Sequence, residues 1–479
     1  MEIKKLKKNV YSFEKEGMMN VSPKIFANEQ IISVLKNEMT NQNNSLNQLK
    51  NISALPGLVG VVCLADIHPG YGAPIGTVTA SDLKEGVITF AATGFDINCG
   101  VHSLILPLDS KEIEAKKKEF AEQLFKDVPA GVGIGGKLKL NKSEMDEVLK
   151  NGAQYVVKRG YGKKKDLKFI EEGGKIKKVD VSSVSDKAKE RACDQIGTLG
   201  SGNHYCEVQK IEKIFDVNSA KKFGLSEEGT FVSIHCGSRA LGHQIGNDYL
   251  PLLDSAVKKY NINIPNRDLV CAPFISEEGQ KYFSAINAGT NAAFANRQVI
   301  GTLVKRSVAK IFGINENEIK TFYDVGHNTA KIETHLVEGK QRKLLIQRKG
   351  STRGFGPNSR DVPIKYRSVG QPVIVGGSMG TNSFILNGTK NAMLETFGST
   401  IHGAGRSMSR TQANTQVSGE ELLKSLNEKG IIIKAHSLKG LAEEAPSAYK
   451  DILEVVKVMS DTKISNKVAK LKPLICIKG

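Results

Sequence analysis

An α+β fold, laid out as one large interwoven domain of short strands and helices, is the class the sequence predicts. Short β-branched runs bounded by glycine clusters alternate with amphipathic helical stretches. Polar loops are spread from residue 66 to the C terminus, and no Pro/Ser-rich linker, low-complexity tract or repeat divides them. We therefore expect an N-terminal extension over 1–54, packed on a catalytic domain over 55–479, with a basic loop near 158–178.

In chain order, Glu29 to Lys36 reads as a helix, and the first fifty residues carry no recognisable chemistry. Strands are expected at Leu58 to Leu64 and Val87 to Ala91. They flank the loops from Asp66 to Gly76 and from Thr93 to Gly100. Lys111 to Phe125 and Met145 to Lys158 read as amphipathic helices. A strand at Phe231 to Ile234 leads into His235, and another at Thr321 to Val325 leads into His327. Between them a long helix is expected from Glu278 to Phe312, broken or kinked near Gly289. Strands follow at Lys343 to Gln347 and Pro372 to Val375, and helices at Gly419 to Lys429 and Ser447 to Met459.

With 68 Lys plus Arg against 50 Asp plus Glu, the formal charge of +18 favours a polyanionic partner or substrate. Part of the excess is local: Lys158 to Lys178 holds nine basic residues and three acidic ones, Asp166, Glu171 and Glu172. That segment reads as a solvated loop or as a nucleic-acid-facing one. Seven cysteines without a Cys-x-x-Cys pair give neither a disulfide framework nor a zinc ribbon. No signal-peptide pattern and no membrane-length apolar run is present, so a soluble, cytoplasmic protein is expected.

Of nine histidines, His204, His235, His327 and His402 each sit at a strand end or glycine loop beside another polar residue. His68 is a weaker member of the set. Asp96 and Cys99, three apart between Gly94 and Gly100, could point a carboxylate and a thiolate at one centre. With His204, His235 and His327 they make five donors, too many for one catalytic zinc and suited to two adjacent ions with the thiolate as a bridge. Mixed O, N and S ligation admits Zn, Mn, Co or Fe. Asn203 and Glu207 flank His204, and Arg239 reads either as a phosphate clamp or as a surface salt bridge. Ser399 to Arg410 pairs His402 with Gly403 and Gly405 in a loop able to approach an anion.

Gly94-Phe-Asp-Ile-Asn-Cys-Gly100, Gly200-Ser-Gly-Asn-His204, His235-Cys-Gly-Ser-Arg239, His327-Asn328, Gly377-Ser-Met-Gly380 and Gly398-Ser-Thr-Ile-His-Gly-Ala-Gly-Arg406 together resemble the motif set of the RtcB family of GTP-dependent RNA ligases. The resemblance runs from about Leu55 to Gly479, including Arg348 to Arg353, Glu443 to Pro446 and the final Ile-Lys-Gly. It implies a dinuclear centre holding two Mn²⁺ or other divalent ions. Asp96, Cys99 and His204 would bind the first ion, and Cys99, His235 and His327 the second. It further implies His402 as the nucleophile that takes GMP from GTP. The nucleotide pocket would comprise Asn203, His204, Tyr205, Cys206, Glu207, His327, Asn328, Gly376, Gly377, Ser378, Met379, Ser383, His402, Gly403, Ala404, Gly405 and Lys478, with Arg239 contacting RNA phosphate.

The implied reaction joins RNA 2′,3′-cyclic phosphate or 3′-phosphate ends to 5′-hydroxyl ends, in tRNA splicing or RNA repair. RNA exon halves and an archease-like activating protein are the implied partners, and a monomer is compatible with all of this. Gln347, Gly326 and Ile401 depart from histidine, serine and cysteine or valine in many relatives; none removes an implied ligand or the nucleophile, and Gln347 puts a secondary RNA or phosphate contact in doubt. Taken without the resemblance, the same ligands would also serve a two-metal cyclic-phosphate hydrolase that does not use His402, or an idle RNA-binding protein.

Overall fold

The computed structural model describes residues 1–38 and 44–479. Seven strands form one sheet in the order Ile3–Lys7, Val10–Phe13, Lys24–Phe26, Leu58–His68, Ile75–Asp82, Lys340–Lys349 and Asn328–Val337. The first three come from the N-terminal stretch. Lys24–Phe26 pairs in parallel with Leu58–His68. Val10, Phe13, Ile25 and Phe26 share an apolar cluster with Val61, Ile67 and Val78.

The second sheet runs Lys320–Gly326, Gly100–Asp109, Gly229–Cys236, Tyr205–Ile214, Ser465–Lys478, Ser383–Gly388, Pro372–Val375, and Ile432–Ala435 adds in parallel to Ser465–Lys478. Pro473 lies in the middle of that last strand. The register shifts between Pro473 and Ile475, and such a bulge accommodates a residue with no N–H to donate. The strand thereby continues to Lys478, which is buried rather than frayed.

Helix Glu277–Phe312 spans 36 residues and contacts strands of both sheets. Every residue from Ala285 to Lys305 is buried, so this stretch is enclosed on all sides. The expected break at Gly289 is absent. Its missing side chain instead admits Ile97, whose Cγ2 would lie 3.0 Å from a Cβ placed there.

Two other expected helices are each divided. Lys111 to Phe125 falls into Ser110–Ala115 and Lys117–Asp127, where Lys116 leaves helical geometry and donates its ammonium to the Ile311 carbonyl at 2.8 Å. Met145 to Lys158 falls into Lys142–Asn151 and Ala153–Lys158. Gly152, at φ 55°, makes that corner, and a Cβ on it would meet the Gly174 carbonyl oxygen at 2.2 Å. The last helix is Ile452–Asp461, after a single 3₁₀ turn at Pro446–Ala448. Ala240–Lys259, with Pro251 inside it, is a helix that the sequence pattern did not reveal.

In the basic segment, two acidic residues turn inward. Asp166 pairs with Lys305, and Glu171 with Lys331 and Arg353, leaving most of the lysines outside. Among the described residues no helix is long and apolar enough to cross a membrane.

Candidate metal centre and nucleotide cleft

Four neighbouring strands of the second sheet bring the predicted ligands together. Gly326 lies opposite Gly100, Val101 opposite His235, and Tyr205 opposite His235. His327, Cys99, His235 and His204 therefore emerge at one end of adjacent strands. Asp96 is added by the loop that Asn98, at φ 51°, turns back under the sheet.

Two triads of possible ligand atoms result, Asp96–Cys99–His204 and Cys99–His235–His327. Within each, the atoms lie within 4.8 Å of one another, and Cys99 belongs to both. Cys99 Sγ is 3.4 Å from His204 Nε2 and 3.2 Å from His235 Nε2. His235 Nε2 is 3.2 Å from His327 Nε2, and His204 Nε2 is 2.9 Å from Asp96 Oδ2. The opposite ring nitrogens are committed: His204 Nδ1–H donates to the Leu199 carbonyl at 3.0 Å and His235 Nδ1–H to the Asn203 carbonyl at 3.2 Å. Such bonds select the tautomer with a lone pair on Nε2.

Burial, reinforced for His235 by His204 and for His327 by His402, holds both imidazoles well below the usual histidine range. Imidazole nitrogens of His204, His235 and His327, a carboxylate oxygen and a sulfur thus converge. That donor set fits divalent cations. Burial opposes ionisation of Asp96, but His204 and Arg239 outweigh it and hold the carboxyl low. The Cys99 thiol is pushed up by burial and then by Asp96, a bias that a bound cation reverses by displacing the proton.

His402 follows the short strand Ser399–Ile401, which pairs with Ser351–Arg353. Asp66, fully buried at the end of Leu58–His68, accepts from the His402 backbone N–H at 2.9 Å and from its Nδ1–H at 2.6 Å, both through Oδ2. Nε2 is left uncommitted among the described residues. The imidazole packs against His327, ring centroids 4.8 Å apart. Gly405, at φ 73°, permits the close approach: a Cβ there would stand 2.2 Å from the Asp66 carbonyl oxygen.

These groups line one cavity of about 1010 Å³. Its walls include Asp96, Cys99, His235, Asn203, Tyr205, Glu207, His327, Asn328, Gly376, Gly377, Ser378, Met379, His402, Gly403, Ala404, Gly405 and Lys478. Four predicted residues stand off it. Cys206 points to the opposite face of its strand, into an apolar cluster with Val208 and Ile234. Ser383 accepts from the Gly377 N–H at 3.1 Å and braces that loop. His204 and Arg239 lie behind the centre. Arg239 Nε donates to Thr198 Oγ1 at 3.2 Å, and its guanidinium occupies the space that any Cβ on Gly200 would need.

Several residues in or beside the cavity lie outside the predicted site set. Asp66 stands buried behind His402, and nothing local marks its pairing with a histidine 336 positions away. Lys349, whose ammonium burial pushes down to about 7, donates to the Tyr71 and Ala73 carbonyls at 2.6 and 2.9 Å. Arg406 and Arg410 meet Glu444 at 3.3 and 3.4 Å on the cavity wall. Glu38, Asn44 and Gln48 reach the cavity from the N-terminal stretch. The weaker candidate His68 also lines it, donating Nδ1–H to the Asp66 carbonyl at 2.8 Å.

The departures from the family pattern have structural roles. Gln347 Nε2 donates to the Thr89 carbonyl at 2.8 Å and its Oε1 accepts from Thr89 N–H at 3.3 Å, away from the cavity. Ile401 is core. A Cβ at Gly326 would meet Asn98 Nδ2 at 2.3 Å, so the placement of Asn98 requires glycine there.

Glu207 offers a pH test. Burial pushes its carboxyl up to about 8, partly offset by Gln209 and Lys478. Between about pH 4.5 and 8 the unfolded chain releases this proton and the folded chain keeps it, so the group lowers stability as pH rises through that window. Glu207→Gln is expected to raise the melting temperature of cation-free protein at pH 8.5 and to change it little at pH 4.5. Equal shifts at both values would refute this.

Fold and site together define an α+β protein built around a buried Asp/Cys/His centre, with a carboxylate-supported histidine in the same cleft. A family model described as tRNA-splicing ligase RtcB matches residues 48–479. Among curated relatives, tRNA-splicing ligase RtcB of Thermococcus kodakarensis is 44% identical over 480 residues, covering 100% of this chain and 98% of that protein. The protein of the same name from Methanococcus maripaludis is 46% identical over 441 residues, 91% and 92% of the two chains. RNA-splicing ligase RtcB homolog 1 of Entamoeba histolytica is 43% identical over 474 residues, 97% and 90%. The chain belongs to the RtcB family.

Proposed function

We propose that this protein is a GTP-dependent RNA ligase that joins 2′,3′-cyclic phosphate or 3′-phosphate RNA ends to 5′-hydroxyl ends, in tRNA splicing and RNA repair. The observation that carries the reading is the Asp66–His402 pair: a histidine with Nδ1 held by a buried carboxylate and Nε2 uncommitted among the described residues, in the cavity that Asp96, Cys99, His235 and His327 of the two ligand triads also line.

In this reading His402 Nε2 attacks the α-phosphorus of GTP, the N–P bond forms and pyrophosphate leaves. The imidazole becomes cationic as the bond forms, and Asp66 stabilises that charge through Nδ1–H. Water opens a cyclic phosphate to a 3′-phosphate, an oxygen of which then takes GMP from His402 and restores the neutral ring. The 5′-hydroxyl oxygen finally attacks the RNA 3′-phosphorus and expels GMP. Asp96, Cys99 and His204 would hold one divalent cation and Cys99, His235 and His327 a second, manganese in our reading. The cations would neutralise charge on the phosphate oxygens. Asn203, Tyr205, Glu207, Asn328, Gly376 to Met379, Gly403 to Gly405 and Lys478 would surround the nucleotide. Ser383 supports it through Gly377, and Arg239 acts on phosphate charge from behind His204.

Incubation with GTP labelled at the α-phosphorus and Mn²⁺ is expected to give an acid-labile protein adduct that His402→Ala abolishes. Ligation should then require a 5′-hydroxyl acceptor and fail with a 5′-phosphate. No adduct with any divalent cation, together with opening of a cyclic phosphate without GTP, would instead identify a hydrolase.

A further inference from the structure

Arg297 is a fully buried arginine on the helix Glu277–Phe312, and all five of its N–H donors are used. Nε donates to Asp324 at 3.0 Å, and one Nη2 donor to Asp324 Oδ1 at 2.7 Å. The other Nη2 donor reaches Asn98 Oδ1 at 2.7 Å. Nη1 spans the Asn98 carbonyl at 2.6 Å and the Cys236 carbonyl at 2.9 Å. Asp324 also accepts from His102 Nδ1 at 3.0 Å.

The positions of these acceptors matter. Asn98 immediately precedes Cys99, Cys236 immediately follows His235, and Asp324 lies three residues before His327, on the strand that ends at Gly326. One guanidinium therefore ties the three segments that carry Cys99, His235 and His327. It also bonds both backbone and side chain of Asn98 in the left-handed conformation that presents Cys99. The other triad is supported from one residue earlier on the helix, by a side chain that also donates to the Gly237 carbonyl at 3.0 Å. Asn296 Oδ1 accepts from the Gly197 and Thr198 N–H groups at 2.7 and 3.0 Å, and its Nδ2 donates to the Thr198 carbonyl at 3.1 Å, fixing the loop that leads to His204.

We propose that Arg297, paired with Asp324, is a positioning residue for the Cys99–His235–His327 cation site and sets the affinity of that site selectively over Asp96–Cys99–His204. This rests on the two-cation reading of the centre. A lysine at 297 keeps the charge but offers three donors from a single atom. It cannot span Asn98, Cys236 and Asp324 together.

The test is Co²⁺ binding to full-length protein, followed by calorimetry and by the near-ultraviolet thiolate-to-cobalt absorption. Wild type is expected to take up two ions. Arg297→Lys should retain one with near-wild-type affinity and bind the second at least about tenfold more weakly, as loss of a supporting contact to a ligand does in known sites. Asn98→Gly accepts the same backbone conformation and loses only the Oδ1 contact, so it should fold even if Arg297→Lys does not, and should show a smaller effect of the same selectivity. Equal weakening of both ions, or no weakening, in Asn98→Gly or in folded Arg297→Lys overturns the proposal. Fewer than two ions in wild type would instead overturn the two-cation reading on which it rests.

Discussion

Asp66→Asn is expected to slow formation of the labelled GMP adduct by about two to four orders of magnitude, with cation uptake and fold retained. One oxygen of Asp66 accepts both His402 N–H groups, at 2.9 and 2.6 Å. An amide can present its oxygen there, keeping the tautomer but losing the negative charge that stabilises the imidazolium as the N–P bond forms. It can instead present its NH₂, which forces the proton onto Nε2 and blocks attack. Either orientation is costly, and neither touches a ligand of the two triads. Single-turnover adduct formation at saturating GTP and Mn²⁺ measures the effect. A rate within about threefold of wild type would show that Asp66 is a structural acceptor only, since the lost charge and tautomer control should cost far more.

The settings of His204, His235 and His327 are legible in the sequence: His204 follows a glycine loop, His235 ends the run Phe231 to Ile234 just before Gly237, and His327 follows Gly326 at the end of Thr321 to Val325. The Asp96–Cys99 loop is legible in the same way. What brings them to one place is sheet order, and no local signal encodes that Lys320–Gly326 and Gly229–Cys236 flank Gly100–Asp109. In the sequence Asp66 is only part of a loop beside His68, because its role depends on a contact across 336 residues. Arg297 looks like an ordinary helix residue until the helix is seen to be enclosed around it. Gly289 shows the reverse error: a glycine within a helical pattern suggests a break, yet the helix continues and the glycine gives room to Ile97 of the Asp96–Cys99 loop. Lys478 could be read as a frayed end, whereas pairing along Ser465–Lys478 carries it into the cavity wall. In each case the residue type was visible and the partner that gives it a task was not.

Cys99→Ala should remove both cations, whereas His204→Ala and His327→Ala should each remove one. The asymmetry follows from sharing: Cys99 belongs to both triads, and each histidine to one. Replacing a buried thiol by a methyl costs about 1 kcal/mol of packing, so the variant should melt close to wild type in a chelator. Adding Mn²⁺ at about one hundred times its dissociation constant stabilises wild type by roughly 2.7 kcal/mol per site. The variant should gain nothing, and adduct formation should fall with the lost ions, because the phosphate charge then meets no cation. Metal content after gel filtration, read beside the melting temperature with and without Mn²⁺, separates these cases. Two ions retained by Cys99→Ala would mean that the triads do not depend on a shared sulfur. One ion retained would mean that Cys99 serves a single site, and His204→Ala or His327→Ala would then reveal which.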